Sequence, residues 1–106
     1  MEFSHIGVHT DEPKPGEEYV AATRVWVTDF LDHPYHVEWV RFEADSPVTG
    51  PVREQPHVGY RVDSIAEACR GLKVLIEPFD SRNNRRVGFY QTSDGAVIEL
   101  MEYNAT

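Results

Sequence analysis

The chain has 106 residues, 41% of them hydrophobic, which suffices for one hydrophobic core of ordinary domain size. It carries 10 basic and 18 acidic residues and has a formal net charge of −8. That balance excludes a partner held by its phosphate backbone, because such binding depends on clustered lysine and arginine. We predict a single domain over residues 1–106 that binds a small molecule and no nucleic acid.

Cysteine usage and hydropathy predict the compartment. Cys69 is the one cysteine, so the chain forms no internal disulfide and fits a reducing environment. Its first residues lack the basic segment and apolar run of a secretory signal, and no apolar stretch approaches the length of a membrane span. We therefore expect a cytoplasmic protein with no membrane partner.

The first predicted element is a strand over residues 3–10, where polar and apolar residues alternate. His5 and His9 lie on one face of this strand, and Ile6 and Val8 lie on the other. The alternation predicts that the apolar face packs against the core.

The rest of the first half is predicted to be a loop followed by two paired strands. Residues 11–18 are polar and contain two prolines and a glycine, which is typical of a loop. Residues 24–30 and 36–43 have the β-branched and aromatic composition of strands. A segment rich in proline at 45–56 separates the two halves.

The second half is predicted to form a strand, a short helix and three further strands. The capping box at 64–67 predicts where the helix begins, because a serine there accepts a hydrogen bond from the first helical turn. A polar turn is predicted at 80–85. The four strands cover residues 57–62, 74–78, 87–92 and 96–103. The apolar face of the helix consists of Ile65, Ala68, Cys69 and Leu72.

Two short segments of the first half return in the second half in the same order. This repetition predicts a duplicated module, with pseudo-repeats over residues 1–50 and 51–106. The sequences HIGV (5–8) and VEWV (37–40) reappear as HVGY (57–60) and IELM (98–101).

Each repeat carries one histidine and one glutamate in matching positions. If the repeats pack about a pseudo-two-fold axis, four side chains converge: His5, Glu38, His57 and Glu99. Two imidazoles and two carboxylates suit one divalent metal ion such as Zn, Ni, Mn or Fe. Single histidines and glutamates in strands are more often structural, but their recurrence in register favours a site. His36 is the alternative to Glu38 as the second ligand from the first half.

Other polar and aromatic side chains are candidates for substrate contact. Arg61 shares the predicted strand face of His57 and is expected to orient a substrate carboxylate. His9 and Trp26 are also expected to contact the substrate. The segment 82–86 contains three arginines, which fit a solvated turn or, as the less favoured alternative, a clamp for an anionic substrate.

Residues 56–63, the helix around Ala66 and the segment 94–100 together resemble the vicinal oxygen chelate superfamily, which includes glyoxalases, extradiol dioxygenases and bleomycin resistance proteins. Residues 5–8 and 37–39 resemble the matching strands of the family's other module. This resemblance implies an α+β, glyoxalase-like fold in which two pseudo-repeated modules form a curved mixed sheet around a central cavity.

The first module departs from the family pattern, because the loop at 11–18 takes the place of its helix. The resemblance therefore implies a shortened βββ first half beside a βαβββ second half. The shorter half is expected to leave apolar surface uncovered, and a homodimer is the simplest way to bury it.

The resemblance also implies an activity. Its four-residue site holds one divalent metal and leaves two positions for neighbouring oxygens of a substrate. We expect a lyase or isomerase in which the metal stabilises charge on a carbonyl oxygen while Glu99 or Glu38 moves a proton as general base. The alternative is a non-enzymatic protein of the same fold that sequesters an antibiotic or a metabolite between aromatic side chains.

Overall fold

The computed structural model describes residues 1–104, so the last two residues of the predicted domain lie outside the described range. Within it, eight strands form one mixed sheet that is accompanied by two four-residue helices and a 3-10 turn. No helix in residues 1–104 has the length and apolar character needed to cross a membrane. The strands are β1 (Glu2–His9), β2 (Glu18–Val20), β3 (Val25–Val27), β4 (Val37–Phe42), β5 (His57–Arg61), β6 (Lys73–Asp80), β7 (Arg85–Gln91) and β8 (Val97–Tyr103). The helices are α1 (Pro51–Glu54) and α2 (Ile65–Ala68), and the 3-10 turn covers Phe30–Asp32.

The strand order shows the duplication directly. The sheet runs β2-β3-β4-β1-β5-β8-β7-β6, with the two halves meeting where β1 pairs antiparallel with β5. On either side of that pair the next strand is parallel, β4 beside β1 and β8 beside β5, and the outer strands are antiparallel. The predicted α+β glyoxalase-like fold of two pseudo-repeated modules is therefore confirmed.

The first half contains one strand more than predicted. β2 covers only Glu18–Val20 and pairs antiparallel with β3. This strand begins at the end of the predicted loop, and its three residues, after a segment rich in proline and glycine, are too few to show alternation. With β2 included, the first half matches the second strand for strand.

The sheet curls until its two edges approach each other. Phe79 of β6 packs against a valine cluster on the first half, and Arg82 Nη1 lies 2.6 Å from Glu18 Oε2 at the opposite edge. The concave side is thereby closed into an interior. The valines of that cluster are Val20, Val25, Val27 and Val40.

Helix α2 covers the convex side of the second half, as its apolar face predicts. Ile65 packs with Tyr90 and Leu100 in a buried cluster. The Ser64 Oγ accepts a hydrogen bond from the Glu67 N–H at 3.2 Å, which confirms the predicted cap. The Ile65 N–H donates to the Glu102 carboxylate at 2.8 Å, so the start of the helix is also tied to β8.

The convex side of the first half has no helix, and the predicted orientation of β1 is wrong there. His5 is 0% exposed and faces the concave interior, whereas Ile6 is 38% exposed on the convex side. Part of this side is covered by the loop before β2, where the Lys14 ammonium lies 4.7 Å from the ring centroid of Trp39. The apolar face of β1 faces outward because the curled sheet encloses its own interior.

Candidate metal centre

The register of the four central strands places one histidine and one glutamate from each half on the concave face. His5 pairs with Gly59, and Gly59 pairs with Glu99 on β8. His57 pairs with Gly7, whose other partner is Glu38 on β4. Side chains that are paired across adjacent strands lie on the same face of the sheet. The two sets of paired residues therefore present two imidazoles and two carboxylates to the same interior.

Gly7 and Gly59 leave the space that the two histidine rings occupy. A Cβ on Gly7 would collide with the His57 ring, and a Cβ on Gly59 would collide with the His5 ring. Each histidine therefore extends over the glycine of the opposite repeat. The space beside each glycine is filled by an imidazole.

The four side chains converge on one point. Nε2 of His5 and Nε2 of His57 lie 2.9 and 3.2 Å from Oε1 of Glu99. Their distances to Oε1 of Glu38 are 3.8 and 3.6 Å. Each residue offers one donor atom, and all four atoms lie within 4.8 Å of one another. The described residues thus include a His/Glu group that can hold a metal ion.

Contacts behind the histidines hold their rings in place. The His5 ring stacks on Phe30 with 4.2 Å between ring centroids, and its Nδ1 lies 3.1 Å from the Ser4 hydroxyl. The His57 ring meets Phe89 edge to face at 5.2 Å. Such outer contacts orient a ligating histidine and direct its other nitrogen toward the site.

His36, the alternative to Glu38, is held away from the group. Its Nδ1 donates to the backbone carbonyl of Ser4 at 2.8 Å, and its backbone has a φ of 52°. The strand alternation begins only after this residue, since β4 starts at Val37. The structure therefore brings Glu38, and not His36, to the other three residues.

Burial and mutual charge shift the pKa values within the buried group. Burial and the Glu99 carboxylate raise the pKa of Glu38 above its ordinary value. Burial opposes ionisation of Glu99 too, but the adjacent His5 and His57 outweigh it and lower the Glu99 pKa. Burial alone would lower the pKa of His57. The adjacent Glu99 carboxylate outweighs burial, so the pKa of His57 is raised.

One atom of the group has no protein partner. Nε2 of His57 is buried and, although it lies 3.2 Å from Oε1 of Glu99, is without a hydrogen-bond partner among the described residues. Buried polar atoms are rarely left in this state. A divalent cation would satisfy that nitrogen and offset both carboxylates, so the residues present fit a metal.

A cavity of about 60 Å³ opens over the His/Glu group between the two halves. Its wall is mostly aliphatic and aromatic. Its polar residues besides the four converging side chains are Thr23, Ser81, Arg82 and Arg85. A space of this size accommodates a ligand of a few heavy atoms, well below the 300 Å³ at which pockets for drug-sized ligands begin.

The three side chains expected to contact a substrate lie outside the cavity lining. The exposed Arg61 guanidinium lies 4.2 Å from the ring centroid of Tyr103. Nε2 of His9 is 3.1 Å from the Asp11 carboxylate, which is itself exposed. Trp26 Nε1 donates to Glu43 at 2.6 Å.

Arg82 and Arg85 do line the cavity, although the sequence analysis favoured a solvated turn for this segment. The turn is confined to Asn83 and Asn84, both of which have positive φ, and β7 begins at Arg85. A pair of asparagines is a known signal for a tight turn with positive φ, and it would have placed the arginines at the strand ends. The preference for a solvated turn was therefore wrong for Arg85, which is 6% exposed.

Comparisons with known proteins add information about the fold. No protein-family model and no curated protein matches the chain. The chain is similar to the crystal structure of an uncharacterized protein from Methanosarcina mazei, with a TM-score of 0.62 and 16% identity over 100% of this chain and 97% of that one. It is also similar to a glyoxalase family protein from Bacillus cereus, with a TM-score of 0.44 and 16% identity over 99% and 95% of the two chains.

At such identities the likeness concerns the fold alone. The strand order and the β1–β5 register fit the glyoxalase-like fold that the sequence predicted. On that fold the chain carries a His/Glu group that can hold a metal at the base of a small cavity.

Proposed function

We propose that the chain is a metal-dependent lyase or isomerase of glyoxalase type, which moves a proton next to a carbonyl of a small anionic substrate. The observation that carries this proposal is the convergence of four buried donor atoms, two from each repeat, inside a cavity. A structural role would not require both repeats to present the same pair of side chains to the same point.

We propose that His5, Glu38, His57 and Glu99 hold one divalent ion, with Zn, Ni, Mn or Fe compatible with the donor set. When bound, such an ion would supply Lewis acidity for the charge that develops on a carbonyl oxygen. The protein's part is to hold the four donors on rigid strands and to exclude water with the apolar cavity wall.

The two carboxylates differ in a way that favours Glu38 as the general base. Glu99 accepts a hydrogen bond from His5 Nε2 at 2.9 Å, and its pKa is lowered. Glu38 accepts no such bond from the described residues, so its carboxylate is the freer of the two to approach a substrate carbon. Glu38 then takes the proton from the substrate carbon and returns it to a neighbouring atom, while Glu99 fixes the histidines.

We further propose that the protein works as a cytoplasmic homodimer. Phe3 and Ile6 are exposed on the convex side of the first half, where no helix covers the sheet. An isologous contact between two such faces would bury them. The single Cys69 agrees with a reducing compartment.

The alternative function, sequestration of a small molecule without turnover, has less support. The aromatic side chains that would provide stacking surfaces are Trp26, Trp39, Tyr90 and Phe89, and of these four only Phe89 lines the cavity. Tyr90 is buried with the α2 cluster, and Trp39 is covered by Lys14. A sequestering cavity also has no need of four converging metal ligands.

An exchange experiment separates the two functions. Metal-loaded and metal-stripped protein would be incubated in heavy water with a panel of small 2-oxo acids and hemithioacetals, and deuterium at the carbon beside the carbonyl would be followed by NMR. We expect metal-dependent exchange that falls by a factor of about 10² or more in Glu38→Gln.

The matched control is His36→Ala, which removes a nearby histidine that is not part of the group and should leave exchange intact. Metal content would be measured in every variant, so that loss of the base is distinguished from loss of the ion. Tight, metal-independent binding of a compound without exchange or turnover would favour sequestration instead.

A further inference from the structure

Arg85 is a buried cation without a charged partner. It is 6% exposed, and its Nε is buried without a hydrogen-bond partner among the described residues. No carboxylate in residues 1–104 forms an ion pair with it, although the chain has an excess of acidic residues. Its guanidinium lies instead over two aromatic rings, 4.8 Å from the centroid of Phe30 and 5.4 Å from that of Tyr103.

An arrangement of this kind is costly unless an anion completes it. Burying an unpaired charge in a protein carries a large desolvation penalty. Aromatic faces offset only part of that penalty, since a cation–π contact is much weaker than the lost hydration. The cost is accounted for if an anion from outside the chain binds there.

The position of Arg85 relates it to the His/Glu group. Phe89 pairs with Glu99, and Arg85 lies four residues earlier on β7, so the period of two places it on the same concave face. The Phe30 ring lies against both the Arg85 guanidinium and the His5 imidazole, so the two groups are neighbours. Both also line the same cavity.

We propose that Arg85 is the anion subsite of this cavity, and that its guanidinium, whose Nε has no hydrogen-bond partner among the described residues, binds a carboxylate or phosphate group of the substrate. This inference rests on the proposed function and defines its substrate class. The substrate is a small oxo or hydroxy acid whose anionic group sits at Arg85 while the oxygen beside the reacting carbon lies at the His/Glu group. The planar fork of arginine suits such two-point binding of an oxyanion.

Arg82 differs from Arg85 although both line the cavity. Arg82 is paired with Glu18 across the closed edge of the curled sheet, at 2.6 Å. Its charge is already offset, and its role is to close the cavity rather than to bind the anion. Arg85 has no such carboxylate beside it among the described residues, and this distinguishes the two arginines.

The test measures anion binding to metal-free protein, where no metal can bind the probe. Inorganic phosphate and malonate would be titrated calorimetrically, with neutral malonamide as the uncharged control. We expect the parent protein to bind one or both anions and not malonamide. Preference for malonate would identify a carboxylate substrate, and preference for phosphate would identify a phosphorylated one.

Arg85→Gln should weaken anion binding by at least about tenfold, because a charge-assisted bidentate contact is lost. Arg85→Lys keeps the charge but loses the fork, so its affinity should fall between the two. The matched control is Arg86→Gln, which removes an exposed arginine from the opposite face of the same strand. That variant should bind like the parent.

The inference is overturned if the parent binds neither anion, if Arg85→Gln binds as tightly as the parent, or if Arg86→Gln is weakened equally. If Arg85→Gln fails to fold, Arg85→Lys takes its place in the comparison with Arg86→Gln. The inference is then overturned if Arg85→Lys binds the anions as tightly as the parent. Metal retention by the Arg85 variants, measured in parallel, should remain at the parental level. Because the anion probes need no metal, this result stands or falls independently of the exchange experiment.

Discussion

The two halves of the molecule share their concave faces and differ on their convex faces. Inside, each half contributes a histidine, a glycine and a glutamate at matching positions of the register. Outside, α2 covers the second half with a buried cluster, while the first half has only a loop against the sheet. The duplication has therefore been retained where the halves meet and has diverged where they do not.

The difference shows which constraint acts on each face. The inner side chains depend on each other across the pseudo-two-fold axis, because each histidine occupies space left by the opposite glycine. A change in one repeat thus requires a change in the other. The outer faces have no such mutual dependence, and a helix, a loop or a second copy of the chain can cover either of them.

The largest effect is expected from breaking the shared inner face. Replacing His57 and Glu99 together by alanine should abolish stoichiometric metal retention, because it removes one imidazole and the carboxylate that both histidines contact. Affinity should fall by well over about a hundredfold, beyond the loss typical of outer-shell changes. Metal analysis of protein purified without a chelating resin would measure this.

His36→Ala serves as the control, since that ring lies outside the group. If the double variant retained as much metal as the parent while remaining folded, the assignment of the metal centre would be wrong.

The reciprocal glycines give the sharpest test of the symmetry. Gly7→Ala should displace the His57 ring, and Gly59→Ala should displace the His5 ring. Each variant is expected to lose about 1–3 kcal/mol of unfolding free energy through overpacking. Both should also lose metal affinity, to a similar degree.

Gly71→Ala provides the comparison, because its Cβ would meet nothing while its φ of 81° strains an alanine. That variant should lose about 1 kcal/mol but keep its metal. Urea unfolding combined with metal analysis separates the two cases, and normal metal retention by both Gly7→Ala and Gly59→Ala would contradict the reciprocal fit.

The convex faces should respond unequally to truncation. Ile65→Ala, on the buried face of α2, is expected to cost about 2–4 kcal/mol, since this side chain is 3% exposed. Ile6→Ala should cost less, and its effect should grow with protein concentration if a homodimer covers Ile6. Urea unfolding at two protein concentrations measures both effects.

Light scattering tests the dimer itself. Ile6→Lys should convert a dimer into a monomer, whereas Val74→Lys, an exposed site on edge strand β6, should not. A monomeric parent protein at high micromolar concentration would remove the homodimer proposal.

The smallest effect is expected at the ion pair that holds the loop of the first half against β4. Glu17 accepts two hydrogen bonds from Arg41, at 2.7 and 3.0 Å, and these lower the Glu17 pKa. A lowered pKa in the folded state means that the stabilisation is present above the ordinary glutamate pKa and is lost as the pH falls through the folded value.

Glu17→Gln should therefore be slightly less stable than the parent near neutral pH and equally stable in acid. Glu12→Gln is the control, because Glu12 is exposed and its ion pair with Lys14 is long, at 3.9 Å, and therefore weak. Thermal unfolding across the pH range would measure both variants, and a stability difference for Glu17→Gln that did not depend on pH would contradict the ion-pair explanation.

Much of the second half was predictable because its signals are local. Alternation located its strands to within a few residues, and Ser64 marked the start of α2. β2 was missed because three residues carry no periodicity. The predicted turn at 80–85 was too long, because only Asn83 and Asn84 form the turn and β7 already begins at Arg85. For this reason the burial of Arg85 was not predicted.

The candidate site was predictable from repetition rather than from any single residue. Matching contexts in the two repeats singled out His5, Glu38, His57 and Glu99, and the structure brings those four side chains together. Alternation alone could not choose between Glu38 and His36. That choice depended on where β4 begins and on the hydrogen bond that ties His36 to Ser4.

The sequence by itself determined the duplicated module, the order of most strands and the four residues that could meet, because repetition and periodicity are properties of the chain. Only the tertiary structure decided which face of β1 is inside, since a curled sheet buries its concave side whatever the polarity of the alternation. It also decided that Arg85 lines the cavity whereas Arg61 does not. These outcomes depend on how two distant edges of the sheet approach each other, and no local pattern in a sequence encodes that distance.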